Sequence, residues 1–273
     1  MFHALSSTRP AKKPVTLFWA ALALAVAGSL PPFAAASDTS RWDALRQHYF
    51  GDREIHDGRR VLALMAPERA ANAAVVPVSI RVAFPQSEER YVKTVTLLVD
   101  NNPSPLAGRF HLTLASGKAN IATRIRVNDF TDIRAVAELN DGSLHMVKRY
   151  VMAAGGCSAP VPMDMDATLA RMGKMKLKRS VRELAGQPNL AQLMISHPNF
   201  SGMQTDAATN QYVPADFVHQ IEVRHGDNLV MKVETDISIS ENPNFRFYYS
   251  PVAEGELSVF VKDTSGRSFS QSW

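Results

Sequence analysis

The run Val95-Thr96-Leu97-Leu98-Val99-Asp100-Asn101-Asn102-Pro103 sets Val95, Leu97 and Val99 at every second position and then stops at an Asn-Asn-Pro turn. A period of two is the signature of a strand that buries one face, and Asn and Pro are turn formers. The same rhythm continues outward in both directions. Val78, Ile80 and Val82 alternate upstream; Phe110, Leu112 and Leu114 alternate downstream. Residues 121–127, 136–139 and 144–152 follow, with Pro67 and Asn140-Asp141-Gly142 as further punctuation. Several short strands at such spacing predict an antiparallel sandwich and not a βαβ sheet.

Ahead of these strands, Trp42, Leu45 and Tyr49 recur at helical spacing, with Ser40 as a cap and Gly51 as a stop. This predicts a short amphipathic helix packed on a sheet. A second β-rich block follows residue 173. Met175 and Leu177 alternate with lysines, and residues 190–195, 217–224, 229–234, 245–249 and 257–261 are strand candidates. His225-Gly226-Asp227-Asn228 reads as a hairpin turn, and a last strand is expected after Thr264-Ser265-Gly266. Between the blocks, residues 164–172 predict a short helix closed by Gly173, with Met165, Leu169 and Met172 on one face.

The first residues are set apart by composition. Arg9, Lys12 and Lys13 precede an uncharged apolar run, which ends at Pro31-Pro32 and a small-residue site, Ala34-Ala35-Ala36. That is the pattern of a cleavable signal peptide, too short for a membrane anchor of about 20 apolar residues. Export to the periplasm is the expectation, with cleavage after Ala36 and no membrane anchor thereafter. Without those three cations the balance of 30 basic against 26 acidic residues is nearly even, which gives no field for nucleic acid. The expected organisation is therefore a signal peptide over 1–36, a sandwich over 37–157, a linker over 158–173 and a second sandwich over 174–273.

One cysteine remains, in Ala153-Ala154-Gly155-Gly156-Cys157-Ser158-Ala159-Pro160. With no second thiol it has no internal disulfide partner, and an odd cysteine in an exported chain suggests a free reactive thiol. Its small neighbours and the Gly155-Gly156 pair predict a flexible, reachable tip. If residues 153–163 are loose and anchored at both ends, that tip reaches roughly 18 Å. Lys148 and Arg149 upstream, and Lys174, Lys176, Lys178 and Arg179 downstream, are candidate activators of the thiolate. They are equally the solvated faces of strands. A rival chemistry is Cu(I) binding, since Met152, Met163, Met165, Met172 and Met175 cluster in sequence around Cys157 and soft sulfur selects Cu(I). The same methionines also suit helix and strand apolar faces. No HExxH, GxSxG or phosphate-binding glycine loop occurs, so neither a catalytic site of its own nor a resident cofactor or metal is expected.

Several local motifs agree with one known family. Val75-Val76-Pro77-Val78, Asn101-Asn102-Pro103-Ser104-Pro105-Leu106, Thr123-Arg124-Ile125-Arg126 and Gly155-Gly156-Cys157 resemble SoxY, the thiol-bearing subunit of the sulfur-oxidation carrier. Ile195-Ser196-His197-Pro198, Pro214-Ala215-Asp216-Phe217-Val218 and Glu241-Asn242-Pro243 resemble its partner SoxZ. The joined chain is similar to the fused SoxYZ-like carriers associated with quinoprotein dehydrogenases. The resemblance implies two immunoglobulin-like sandwiches, and a carrier cysteine, Cys157, that holds sulfur intermediates for partner enzymes. It implies Gly155 and Gly156 as the arm hinge, and sulfur-oxidation enzymes or a quinoprotein dehydrogenase and its cytochrome as partners. His197, Pro198 and Asn242 match the pattern as framework residues. In the two-chain carrier the arm ends freely, whereas here Ser158-Ala159-Pro160 tethers it at both ends. A non-covalent adaptor for the dehydrogenase is the alternative.

Overall fold

The computed structural model describes residues 38–161, 164–180, 187–206, 209–251 and 255–273. The signal peptide expected over 1–36 lies outside the described residues. In chain order the elements are helix α1 (Asp38–Phe50), then β1 (Ile55–Asp57), β2 (Leu62–Met65), β3 (Val76–Val82), β4 (Val92–Val99), β5 (Leu106–Leu112), β6 (Ile121–Ile125), β7 (Thr131–Leu139) and β8 (Leu144–Val151). After a 3-10 turn at Gly156–Ser158 come α2 (Met165–Ala170), β9 (Met175–Ser180), β10 (Asn189–Ile195), β11 (Val218–His225), β12 (Asn228–Thr235), β13 (Asn244–Tyr249), β14 (Leu257–Asp263) and β15 (Ser268–Ser272).

These strands form two sheets, one ordered β1-β8-β7-β4-β5-β12-β11-β14-β15 and the other β2-β3-β6-β13-β10-β9. Each sheet takes strands from both halves of the chain. β5 pairs antiparallel with β12, with Phe110 opposite Val233, and β6 meets β13 at Ala122 opposite Arg246. The two immunoglobulin-like layers therefore lie edge to edge with continuous hydrogen bonding. One apolar core runs through both, from Val76, Val78 and Ile80 to Leu193, Phe245 and Val261. Across the seam the rings of Phe110 and Phe245 meet edge-on at 6.1 Å between centroids.

Period-two strands formed where alternation predicted them, and β3 shows why: Val76, Val78 and Ile80 are buried while Pro77 and Arg81 are exposed. β4 departs from alternation, because Val95 through Val99 are all buried. The cause is α1, which covers the outer face of that sheet and packs Phe50 with Leu98, Val136 and Leu144. Gly51 ends α1 at φ 61°, donating its N–H to the Gln47 carbonyl. Ser40, expected as a cap, instead lies inside the helix, which already includes Asp38. Leu114 was expected on a strand but sits in a 3-10 turn, where the Thr113 hydroxyl caps Ala115 N. β1 and β2 have no counterpart in the periodicity: with three and four residues, they are too short to show a period.

The helix between the blocks formed as Met165–Ala170, with the Asp164 carboxylate accepting from Ala167 N and Gly173 at φ 78°. None of its residues is buried, and Leu169 is exposed. The hairpin at His225–Asn228 is a two-residue turn with Gly226 at φ 55°. A positive φ there suits the right-handed twist of the strands and favours glycine.

Candidate functional site

Beyond β8 the chain does not swing free. Met152 bridges Arg69, and Ala153 is buried. Gly155, at φ 77°, donates its N–H to the Asn128 carbonyl at 2.9 Å, and Gly156 donates to the Val127 carbonyl at 2.9 Å. The next residue, Cys157, is 0% exposed. The second half of the chain closes the site from the other side. The Ser201 hydroxyl donates to the Cys157 carbonyl, and Gln204 Nε2 donates to the Ala159 carbonyl at 2.8 Å. Ser201 N–H in turn donates to Gln204 Oε1 at 3.1 Å, which fixes the clamp.

The flexible, reachable tip expected from Gly155-Gly156 is therefore corrected to a docked segment. The small residues allow close approach and do not act as a hinge in this state. A Cβ on Gly156 would lie 2.2 Å from the Ala73 carbonyl oxygen and 2.6 Å from that of Val127, distances no side chain tolerates. Gly155 has open space instead, and its left-handed backbone is what favours glycine there.

Burial governs the chemistry of the thiol. Desolvation pushes the Cys157 thiol up to about 11, only partly opposed by the Arg126 guanidinium. The sulfur is thus a neutral thiol at pH 7, and the thiolate is the nucleophilic form. None of the lysines and arginines expected to activate it sits in that role. Lys148 pairs with Asp132 at 2.6 Å, and Lys176 and Lys178 are exposed on β9.

Arg126 is the buried cation beside the thiol that periodicity misses. Alternation along Ile121–Ile125 would put it outward beside Arg124. The strand ends one residue earlier, and Arg126 N–H turns to the Ser238 carbonyl at 2.8 Å. Its side chain is 2% exposed, donating from Nη1 to the Ile237 and Ile239 carbonyls at 3.1 and 2.5 Å. Nε has no partner. Burial lowers the Arg126 pKa, with the Cys157 sulfur and Glu241 pulling the other way. A buried guanidinium with no carboxylate in hydrogen-bond contact is costly, and it sits beside the one thiol.

Asn102 braces this corner. Its amide donates to the Arg126 carbonyl and to Ser238 Oγ, both at 2.8 Å, and its carbonyl accepts from Asn128 N–H. The Asn101-Asn102-Pro103 turn thus holds the bed of the cysteine segment as well as ending β4.

The methionines expected around Cys157 disperse. Met175 is in the main core, the Met152 sulfur accepts from Arg69, and Met165 and Met172 are half-buried on or beside α2. Met163 lies outside the described residues. Among the described residues, His197, Asp216 and Asp263 are close enough to hold a cation. Arg267 already fills that place, donating from Nε to Asp263 at 2.6 Å and from Nη2 to Asp216. His197 Nδ1 accepts from Asn199 N–H, which leaves Nε2 to donate to Asp263. Asn242, at φ 47°, donates its N–H to the His197 carbonyl. His197 and Asn242 are thus framework residues, as the local motifs imply.

The two halves, each a β-layer pair, and the segment that ends on a lone thiol define a two-part thiol protein, and comparison with known proteins gives the same division. Residues 46–157 match the family "Sulfur oxidation protein SoxY", and residues 177–273 match "Sulphur oxidation protein SoxZ". The chain belongs to the SoxYZ family, with both partners fused in one polypeptide. The SoxY match ends on Cys157 itself. Among solved structures, the sulfur carrier protein SoxY from Chlorobium limicola f thiosulfatophilum is similar at 24% identity and TM-score 0.36, over 42% of this chain and 94% of that one. A superoxide reductase (neelaredoxin) variant from Ignicoccus hospitalis is similar at 13% identity and TM-score 0.31, over 34% and 79% of the two chains. No curated protein matches the chain.

Proposed function

We propose that this protein is a periplasmic sulfur carrier that holds its cargo covalently on Cys157 and presents it to sulfur-oxidation enzymes. The observation that carries the reading is the SoxY match ending on the chain's only thiol. Loading joins the Cys157 sulfur to the sulfane sulfur of a thiosulfate-type donor. One S–S bond forms, the thiol proton is lost, and two electrons pass to a partner redox enzyme such as a cytochrome or quinoprotein dehydrogenase. The docked segment must open first, because a buried neutral thiol neither attacks nor is reached. Arg126 then supplies a fixed positive charge for the anionic adduct when the segment closes again. The docked state thus shields the cargo, and the open state exchanges it.

A second reading is favoured by the burial of Cys157 itself. In it the chain is a non-covalent adaptor for a quinoprotein dehydrogenase or its cytochrome, and the thiol is a packing residue.

Intact mass spectrometry of the exported protein, purified without reductant, separates the two readings. A carrier shows a reducible added mass in the wild type and none in Cys157→Ser. A thiol that stays unmodified and refuses thiosulfate in the presence of an oxidising partner refutes the carrier and leaves the adaptor. The same spectra report whether the chain begins after Ala36.

A further inference from the structure

The outer face of the six-stranded sheet carries a charge pattern that neither the fold nor the thiol explains. Pairing registers place Ser79, Ala122, Arg246, Gln192 and Lys178 in one rank across β3, β6, β13, β10 and β9. The rank on one side holds Pro77 and Arg124, and Asn244, Met194 and Lys176. The rank on the other side brings in Arg81, with Tyr248 opposite Leu190. No Asp or Glu stands in these three ranks. Arg81, Arg246, Lys176 and Lys178 are exposed, and none of the five cations makes an ion pair among the described residues. Arg124 Nη2 donates only to a backbone carbonyl, that of Asn242, and its Nε has no partner.

On the other sheet several cations stand beside carboxylates. There Arg109, His111 and Lys232 all face Glu234 within 4.0 Å, and Arg224 pairs with Glu222 at 2.6 Å. Those cations have an acidic residue within reach on their own sheet, whereas the five on the six-stranded sheet share three ranks that hold no acidic residue at all. Two adjoining grooves run along that face. One, of about 570 Å³, is lined in part by Pro77, Thr123, Arg124, Gln192 and Arg246, and the second, of about 150 Å³, by Arg81, Arg246 and Tyr248. Neither has an acidic residue in its lining.

We propose that this face docks an acidic protein partner that straddles both halves of the chain. From β3 to β9 the charges spread over four strand spacings, about 19 Å. No small anion spans that distance, whereas a protein surface does. A membrane would call for apolar anchors, and the exposed large hydrophobic side chains among the described residues, Leu114, Phe130, Tyr150, Leu169 and Tyr212, lie outside these ranks. Complementary charge across such a face speeds and orients encounter. The face also reaches the cysteine segment, since the Ala73 carbonyl just before β3 is the one packed on Gly156. The inference holds whether or not Cys157 carries cargo.

The test is titration of the full chain with a dodecaglutamate peptide at about 50 and about 300 mM salt, with screening as the reason for the pair. Binding is expected at the lower salt and should weaken at the higher. Arg124→Glu/Arg246→Glu should weaken it about tenfold or more, Arg124→Lys/Arg246→Lys should retain it, and Lys93→Glu/Lys262→Glu on the other sheet should leave it unchanged. Circular dichroism melts confirm that each variant is folded. Absence of peptide binding overturns the proposal, as does equal loss in both charge-reversal pairs. Binding of thiosulfate, of phosphatidylglycerol vesicles or of an oligonucleotide without the peptide also overturns it, and assigns the face to that class instead.

Discussion

Cys157 shows how one side chain's chemistry is set by atoms far away in sequence. Ala73, Val127 and Ser201 make its bed, and Gly156 fits only because it lacks a Cβ. Gly156→Ala should therefore expel the segment and leave the sheets intact. The expected outcome is a rise of tenfold or more in the rate of thiol reaction with a disulfide reagent, with far-UV circular dichroism unchanged; an unchanged rate would contradict the docked state. The raised thiol pKa also has a defined pH signature. Between about 9 and about 11 the unfolded thiol ionises while the folded one stays protonated. The stability it contributes is present below the unfolded value and is lost as pH rises through the folded one. Two units correspond to about 3 kcal/mol. Urea denaturation from pH 8 to pH 11 should show this fall in the wild type and less of it in Cys157→Ser. The sequence itself identified the residue, since an odd cysteine after a pair of glycines is conspicuous. It could not show the burial: the same small residues that permit a hinge also permit close packing, and the choice is made by long-range partners. Arg126 was hidden for a related reason, because a strand that ends one residue early reverses which side a residue faces.

At the level of elements, α1 docks over a buried ion pair that belongs to the sheet. Arg134 Nε donates to Asp100 at 2.7 Å, with its guanidinium 4.2 Å from the Trp42 ring centroid, while Arg41 donates to the Asp100 and Asn102 carbonyls. Burial raises the Asp100 pKa despite Arg134, so desolvation outweighs the pairing. Removing the carboxylate leaves Arg134 buried with only Asp132, at 3.3 Å, as a counter-charge. Asp100→Ala should cost about 3 kcal/mol in chemical denaturation, and a loss below about 1 kcal/mol would mean that the pair adds little to the stability of this corner. Histidines add an acid sensitivity. Burial holds His111, His145, His197 and His225 below the ordinary value. The unfolded chain then takes up protons first, so their contribution is present above about pH 6.5 and is lost as pH falls. Stability measured from pH 7.5 to pH 5 should decline, and His197→Asn should flatten the slope. The strands were the most legible part of the chain, because each buries one face and writes that as a period of two. β4 lost its period to α1, and β1 and β2 were too short to have one.

For the molecule as a whole, the two sequence blocks are joined more tightly than a linker would suggest. β5–β12 and β6–β13 carry both sheets across the boundary, and Phe110 and Phe245 pack between layers contributed by different halves. Neither half can open along that line without exposing two strand edges and part of the core, and unpaired edges are a liability that folded proteins avoid. Sequence order conceals this: alternation reports which face a strand buries, but not which distant strand it pairs with, and the pairing of residue 110 with residue 233 leaves no local trace. Coupling of this kind predicts cooperative unfolding. Fluorescence from Trp42 in the first half and from Trp273 in the second, each isolated by replacing the other and Trp19 with Phe, should give coincident urea transitions. Phe110→Ala should lower both midpoints together, with a loss of about 3–5 kcal/mol. Two separated transitions would show instead that the sandwiches are independent and that the seam is only an apposition. A coincident transition has a functional corollary: the clamp from Ser201 and Gln204 reaches the Cys157 segment across a rigid seam, so exposure of the thiol occurs by local release of residues 155–159 and not by separation of the halves.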